Sequence, residues 1–142
     1  MRTSATDVAF YLDTSAAVKL VQEEHGSAGL LAWMSERERV LASSALLHTE
    51  LLRATRRSRP DLLGQARALL DHVTLIDVGQ DVCERAALLD PDGLRSLDAI
   101  HLASAFALAE ELEGIVTYDV RLRAAAIAVG LNVIAPGDAA SP

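Results

Sequence analysis

Short apolar runs alternate along this chain with segments of helical periodicity, and this alternation restricts the possible folds more than any other feature. Five runs of strand length are separated by segments long enough to form helices. Parallel strands need such crossover helices, which cover both faces of the sheet. The sequence therefore predicts an α/β protein, with a three-layer α/β/α domain and a central, mainly parallel sheet of about four to five strands.

Turn residues and helix caps bound the predicted elements. The predicted strands cover residues 8–12, 40–43, 74–78, 114–118 and 132–134. The predicted helices cover residues 16–22, a segment after 26–27, and then 45–57, 60–73, 81–89, 96–111 and 119–129. No repeat, low-complexity stretch or linker interrupts this series. We therefore expect one domain over residues 1–142, with a short C-terminal tail from residue 136.

The composition restricts the class of protein further. Hydrophobic residues make up 51 % of the 142 residues and charged residues 23 %, which is an ordinary balance for a globular protein. The apolar run 8–12 is too short for the core of a signal peptide, and a single cysteine, Cys83, cannot form an internal disulfide. We expect a cytoplasmic protein in which Cys83 packs as a small hydrophobic side chain.

The formal net charge of −7 argues against a general polyanion binder, because phosphate binding usually leaves a basic footprint. Four arginines nevertheless lie close together in sequence, namely Arg53, Arg56, Arg57 and Arg59. This cluster fits a nucleic acid held at one site only, and it fits equally well a solvated helix end with cations near its C-terminus.

Two aspartates follow predicted strands at points where a helix begins. Asp13 follows the strand 8–12, and Asp119 follows the strand 114–118. The carboxyl ends of parallel strands meet at one edge of a sheet, and ligands of open α/β sheets bind in the crevice at that edge. Either aspartate alone is also explained as a helix N-cap.

Asp98 is harder to explain as a surface residue. Its predicted helix is apolar on nearly every face, which is typical of a buried helix, and ionised carboxylates are seldom buried without a partner. Arg95, just before the helix, is the cation close to it in sequence. Glu50 lies at the border of the apolar stripe of its own helix, where the alternative is a surface glutamate paired with Arg53 or Arg57.

Four carboxylates that converge need a cation. Two unit charges about 4 Å apart repel by ~4 kcal/mol at an effective dielectric constant of about 20. Carboxylate oxygens without cysteine or paired histidine ligands select Mg²⁺ or Mn²⁺. The chemistry then available is metal-assisted hydrolysis of a phosphodiester, in which an activated water serves as the nucleophile.

Four motifs in series resemble those of the PIN-domain ribonucleases, and within that family the VapC toxins of bacterial type II toxin–antitoxin modules. They are Tyr11-Leu12-Asp13-Thr14-Ser15 and the segments 45–53, 97–103 and 117–126, which contain Glu50, Asp98 and Asp119. Their order and spacing agree from Val8 to Pro136. The resemblance implies a PIN-like domain in which the four acidic residues form the family's catalytic and metal-binding quartet. It also implies that Thr14 or Ser15, together with Thr117, supplies hydroxyl groups to the same pocket.

The resemblance further implies cofactor and partners. The implied activity is Mg²⁺- or Mn²⁺-dependent endonucleolytic cleavage of RNA, silenced by a cognate VapB-like antitoxin, with a homodimer as the working unit that can enter a larger toxin–antitoxin complex. Candidates for contacts to RNA phosphates are Arg53, Arg57 and Arg95, with Lys19 a weaker one. Trp33 either belongs to the core or lines an antitoxin groove near the early helices.

Three alternatives accompany this interpretation. One is a housekeeping PIN-domain nuclease in RNA processing. Another is a receiver-like Mg²⁺-binding signalling domain, which requires a lysine near a late strand end, whereas the only lysine here is Lys19. The third is a zinc site at Asp98 and His101, which lacks a third nitrogen or sulfur ligand, so we expect His101 to make a polar contact within the core.

Overall fold

The computed structural model describes residues 8–138, in which five parallel strands form one sheet in the order β3-β2-β1-β4-β5. The strands are β1 (Ala9–Leu12), β2 (Leu41–Ser44), β3 (Val73–Ile76), β4 (Leu112–Val116) and β5 (Val133–Ile134). The helices are α1 (Thr14–Val21), α2 (Ser27–Ser35), α3 (Leu46–Ser58), α4 (Leu63–Asp71), α5 (Gln80–Ala87), α6 (Ser96–Phe106) and α7 (Val120–Ala128). Short 3-10 turns cover Pro60–Leu62 and Ala109–Glu111. The predicted three-layer α/β/α architecture is confirmed.

The first strand lies in the middle of the sheet. Tyr11 of β1 is in register with Ala42 of β2 on one side and with Ile115 of β4 on the other. The chain runs outward from β1 through β2 to β3, and then crosses to the opposite side for β4 and β5. The sheet order therefore reverses between β1 and β4, which is the topological switch point where α/β proteins bind ligands.

Helices cover both faces because side chains alternate along each strand. Phe10 and Leu12 of β1 face a core cluster that also contains residues of α1 to α4, whereas Tyr11 faces a second cluster with α6 and α7. All four residues of β1 are buried. The strand that precedes Asp13 is therefore fixed from both sides, and its end is a rigid position for a functional group.

Several element bounds differ from those predicted. Val73 begins β3 rather than closing the preceding helix, and β4 covers Leu112–Val116, so Asp119 follows the strand by three residues. Helix α6 ends at Phe106 instead of 111, and Ala109 adopts a left-handed φ of 52°. Leu108 and Leu112 pack against the second core cluster, and the chain bends there because that burial outweighs the helix propensity of the Ala- and Glu-rich segment.

Two predictions about single segments also change. Cys83 is exposed on α5 rather than packed as a small hydrophobic residue, because Val82 and Ala86 supply the buried face of that helix. The part of the predicted tail at 136–138 packs on α2, where a Cβ added to Gly29 would lie 2.5 Å from Cα of Gly137. The remainder of that tail, 139–142, lies outside the described residues. Across residues 8–138, no helix is both long and apolar enough to cross a membrane.

Candidate active site

A cavity of about 360 Å³ opens at the carboxyl edge of the sheet, beside the switch point between β1 and β4. All four predicted acidic residues line it. The full lining consists of Asp13, Thr14, Ser15, Glu50, Arg95, Ser96, Leu97, Asp98, His101 and Asp119. The fold thus brings together residues from the ends of two strands and from two helices that lie far apart in sequence.

Asp13 is the innermost carboxylate. It is the N-cap of α1, and its oxygens accept hydrogen bonds from the Ala16 amide at 3.0 Å, from Ser15 Oγ at 2.7 Å and from Thr117 Oγ1 at 2.6 Å. No lysine or arginine among the described residues lies within ion-pair distance of it. Burial raises the pKa of Asp13, and the hydrogen bonds from Thr117, Ala16 and Ser15 only partly offset that rise.

Thr117 and Ser15 hold the two strand ends together around that carboxylate. Thr117 is fully buried directly after β4, and its Oγ1 also accepts the Asp119 amide at 3.1 Å. Ser15 Oγ accepts the Tyr118 amide at 2.8 Å while it donates to Asp13. The Thr117 and Ser15 side chains therefore connect the end of β1 to the end of β4. Each orients Asp13 and also accepts a backbone amide that follows β4.

Asp98 and Asp119 share one guanidinium. Asp119 is the N-cap of α7, and Asp98 is in the first turn of α6, where the helix dipole favours a negative charge. Arg95 Nε lies 3.3 Å from Asp98, and its Nη2 lies 3.5 Å from Asp119. The Arg95 side chain is 59 % exposed, so this cation sits at the mouth of the cavity rather than inside it.

Glu50 reaches the cavity from α3 and is held by two donors. Thr14 Oγ1 donates to its Oε1 across 2.6 Å, and Nε2 of His101 lies 2.7 Å from the same oxygen. Burial raises the pKa of Glu50, but the hydrogen bonds from His101 and Thr14 outweigh burial and make the net shift downward. Glu50 is therefore ionised at neutral pH, and the hydrogen bonds with Thr14 and His101 fix its position.

The PIN domain family matches residues 10–128. Ribonuclease VapC35 of Mycobacterium tuberculosis is 40 % identical over 132 residues, which cover 91 % of this chain and 98 % of that protein. The chain belongs to the VapC ribonucleases of the PIN-domain family.

Solved structures agree in fold. The crystal structure of Mycobacterium tuberculosis VapC20, a toxin that cleaves the sarcin–ricin loop, superposes with a TM-score of 0.72 at 17 % identity and covers 90 % of this chain and 100 % of its own. A toxin–antitoxin complex from Klebsiella pneumoniae gives a TM-score of 0.59 at 21 % identity, covering 80 % and 88 %. The family match excludes the receiver-like alternative.

The VapC ribonucleases depend on a divalent metal ion, and the donor set of this cavity fits one. The four carboxylates carry hard oxygen atoms of the kind that divalent cations prefer, and Asp13 is a buried carboxylate whose hydrogen-bond donors are neutral. Among the described residues, no three Asp, Glu, His or Cys side chains form a complete ligand cluster. The four carboxylates therefore line one cavity without three of them being drawn together into such a cluster.

Other predicted contacts of this VapC ribonuclease lie outside the cavity. Arg53 and Arg57 face outward from α3 and, with Arg56, line a separate small recess. Lys19 pairs with Glu24 at 3.2 Å and does not line the cavity. Among the three arginines predicted to contact phosphate, Arg95 alone borders the four carboxylates.

Trp33 lies at the periphery of the core and also reaches the surface. Its ring packs edge-on against Phe10 at 4.9 Å and under the guanidinium of Arg39 at 3.8 Å, so it belongs to the periphery of the core. It also lines an open recess beside 133–138. The side chain therefore closes one face of the core and remains partly accessible.

Tyr11 is the site residue that sequence reasoning missed. Its hydroxyl lies 2.8 Å from Nδ1 of His101, beneath the cavity. His101 makes the expected polar contact within the core, and both of its ring nitrogens are occupied by Tyr11 and Glu50, which leaves none for zinc. The available signal was a hydroxyl-bearing aromatic residue inside a fully apolar central strand, because buried tyrosines usually need a polar partner.

Proposed function

We propose that this VapC ribonuclease is an Mg²⁺-dependent endoribonuclease toxin, for which Mn²⁺ can substitute, and that its cavity at the switch point is the catalytic centre. The observation that carries the proposal is Asp13, a carboxylate 4 % exposed whose partners are all neutral donors. Burial of an ionised carboxylate without a cation costs free energy, because the charge loses its hydration, and the hydrogen bonds to Asp13 offset only part of that cost. A bound divalent cation removes that cost.

The proposed ligands are Asp13, Asp98 and Asp119, with Glu50 at the far side of the cavity. When bound, a divalent cation supplies an activated water for attack on the phosphorus and neutralises charge on the phosphoryl oxygens. Thr117 and Ser15 orient the Asp13 carboxylate, and Thr14 orients that of Glu50. Two of the carboxylates cap helices, so their geometry is set by backbone amides as well as by side chains.

The proposed substrate is single-stranded RNA that enters across the exposed mouth. Arg95 lies at that mouth and is a cation within reach of a scissile phosphate. Arg53 and Arg57 follow Glu50 along α3 by one and two helical turns and extend a positive track away from the cavity. An acidic protein with one basic track fits an RNA held along one line rather than over the whole surface.

The proposed partners are a VapB-like antitoxin and a second copy of this chain. The Klebsiella complex supports the first by fold similarity, and the recess beside Trp33 is a candidate for the antitoxin contact. Exposed apolar side chains on α7, Val120 and Ile127, supply surface for a homodimer. The proposed compartment is the cytoplasm, because a bacterial RNA substrate is found there.

The test compares Asp13→Asn with Asp71→Asn, a charge-matched control at the exposed C-terminal end of α4. Each full-length protein is titrated with Mn²⁺ by calorimetry, and each is expressed briefly before the ends of cellular RNA are sequenced. We expect the parent and Asp71→Asn to bind Mn²⁺ and to generate new RNA ends. Asp13→Asn should fold normally, lose Mn²⁺ binding and leave RNA intact.

Continued cleavage by purified Asp13→Asn, free of contaminating nuclease, would exclude the proposed catalytic centre. The parent could instead cleave RNA without arresting growth, and without being inhibited by the co-expressed product of the upstream gene. That result would favour the housekeeping alternative. The relatives in the VapC family favour the toxin.

A further inference from the structure

A chain of hydrogen bonds leads from the middle of the sheet to the acidic cavity. Tyr11 is fully buried, His101 is 3 % exposed at the wall of the cavity, and Glu50 lines the same cavity. The Tyr11 hydroxyl is 2.8 Å from Nδ1 of His101, and Nε2 of the same ring is 2.7 Å from Oε1 of Glu50. The proposed ligand roles use Glu50 and assign nothing to the two rings behind it.

The chemistry of the two end groups fixes the direction of the hydrogen bonds. An ionised carboxylate can only accept, so the proton between His101 and Glu50 belongs to Nε2. With that proton on Nε2, Nδ1 of the neutral ring can only accept, so the Tyr11 hydroxyl 2.8 Å away donates to it. His101 is therefore held as the Nε2–H tautomer, with its N–H aimed at Glu50.

The two rings sit in the packed core, whereas the carboxylate that His101 contacts is carried on a longer side chain. Tyr11 lies in the central strand, paired on both sides, and α6 buries most of the residues around His101. The rings meet edge-on at 5.8 Å. Glu50 projects from α3 on a long side chain that loses rotamer freedom when it is ordered. The packed core thus supplies a donor that orders the Glu50 carboxylate in the cavity.

We propose that His101, held in one tautomer by Tyr11, is the positioning residue for Glu50 and thereby sets the affinity of the cavity for a divalent cation. This inference rests on the proposed function, because it takes Glu50 as part of the metal site. Groups that hydrogen-bond to metal ligands typically contribute about 10- to 100-fold in metal affinity.

Four full-length variants separate a donor role from a packing role. His101→Gln keeps an N–H near the position of Nε2, whereas His101→Leu keeps bulk and removes the donor. Tyr11→Phe removes only the hydroxyl behind the ring. Ile115→Val removes one methylene from the cluster that contains Tyr11 and is the packing control. Thermal unfolding without metal establishes that each variant is folded.

Calorimetric titration with Mn²⁺ gives the first readout. We expect His101→Leu to weaken binding by about 10- to 100-fold, with His101→Gln staying within about threefold of the parent. Tyr11→Phe should weaken binding several-fold, and Ile115→Val should leave it unchanged. If His101→Leu does not fold, the comparison of Tyr11→Phe with Ile115→Val decides.

Nitrogen NMR of histidine-labelled, metal-free protein gives a readout that needs no metal. The His101 signals, recognised by their loss in His101→Gln, should show a protonated Nε2 and an unprotonated Nδ1. Tyr11→Phe should mix the two tautomers. A protonated Nδ1 with a bare Nε2 in the parent overturns the inference.

Equal Mn²⁺ affinity in His101→Leu and the parent also overturns the inference, as does His101→Gln binding as weakly as His101→Leu. In both cases the proposed function stands, provided that the parent binds Mn²⁺ and Asp13→Asn does not. A parent that binds no Mn²⁺ overturns the proposed function itself, together with the part of this inference that concerns affinity.

Discussion

The Thr117 hydroxyl donates a 2.6 Å hydrogen bond to Oδ2 of Asp13, and this contact joins the end of β4 to the end of β1 at the switch point of the sheet. It supplies polarity to a buried carboxylate without supplying positive charge. Folding therefore disfavours the ionised form of Asp13 in the metal-free protein and raises its pKa. This penalty lowers the stability of the metal-free protein and would be relieved by a bound cation.

Asp13→Asn should stabilise the metal-free protein at pH 7. The raised pKa of Asp13 means that folding disfavours its ionised form, and the resulting penalty is fully present above the folded pKa. Removal of the charge should raise the free energy of unfolding by about 1 kcal/mol, typical of single stabilising substitutions. Urea unfolding of the variant and the parent in the presence of a chelator measures the difference.

The pH dependence provides the control for this prediction. As the pH falls through the folded pKa of Asp13, the parent takes up a proton and regains stability, so the gap between the two proteins should close toward pH 3.8, the ordinary value for aspartate. A gap that stays constant from pH 7 to pH 4 would contradict a charge-based origin.

Thr117→Val should shift the pH dependence of activity in the basic direction. The Thr117 hydrogen bond lowers the pKa of Asp13, so its loss raises that pKa further. If Asp13 must be ionised to bind metal, the acid limb of kcat/KM against pH then moves to higher pH. Loss of a hydrogen bond to a charged group should also lower the free energy of unfolding by about 2 kcal/mol.

Thr55→Val is the matched control for Thr117→Val. The Thr55 hydroxyl is equally buried, on α3, and makes no hydrogen bond within the described residues. Its removal should leave the pH profile of kcat/KM unchanged. The free energy of unfolding should equal or exceed that of the parent. Equal pH profiles for the two variants would rule out the assigned role of Thr117.

Much of this architecture follows from sequence because the determining signals are local. The alternation of apolar runs with helical periodicity predicts a parallel sheet, and parallel sheets align strand ends at one edge. Asp13 and Asp119 are placed there by sequence position alone. Asp98 stands out because its helix is apolar on nearly every face, and the structure buries that helix as expected.

The remaining features depend on contacts between distant parts of the chain. The hydrogen bond from Tyr11 to His101 joins residues 90 positions apart, and no periodicity encodes it. The bridge from Arg95 to Asp119 depends on how the segment before α6 meets the N-terminus of α7. Helix α6 ends early because Leu108 and Leu112 are drawn into the core, although the local sequence favours a longer helix.

Arg95→Gln should separate metal binding from substrate binding. The guanidinium lies beside Asp98 and Asp119 and competes electrostatically with an incoming cation, so its removal should tighten Mn²⁺ binding by a few-fold, equivalent to less than ~1 kcal/mol. Loss of the same charge should raise KM for RNA. The free energy of unfolding should change by less than ~1 kcal/mol, because the side chain is mostly exposed.

Arg67→Gln, on the exposed surface of α4, controls for the loss of one positive charge and should change neither quantity. Calorimetry with Mn²⁺ and steady-state kinetics with a short RNA measure the two effects separately. Weaker Mn²⁺ binding in Arg95→Gln would mean that the guanidinium supports the metal site instead of competing with it.

The double variant Arg53→Gln, Arg57→Gln should weaken RNA binding without affecting metal binding. Both arginines line a recess on α3 away from the carboxylates, so they can contact only phosphates remote from the reaction centre. For single-stranded RNA, each lost phosphate contact should reduce the slope of log K against log salt concentration by about 0.7. The measurement is RNA affinity at several salt concentrations. All proteins carry Asp13→Asn as the background, so that the strand is not cut.

Arg37→Gln, before β2 at the opposite edge of the sheet, removes an exposed arginine and should leave the slope unchanged. An equal slope for the double variant and its background would show that the basic cluster is a solvated helix end, whereas a slope reduced by about 1.4 would identify both arginines as part of the RNA track.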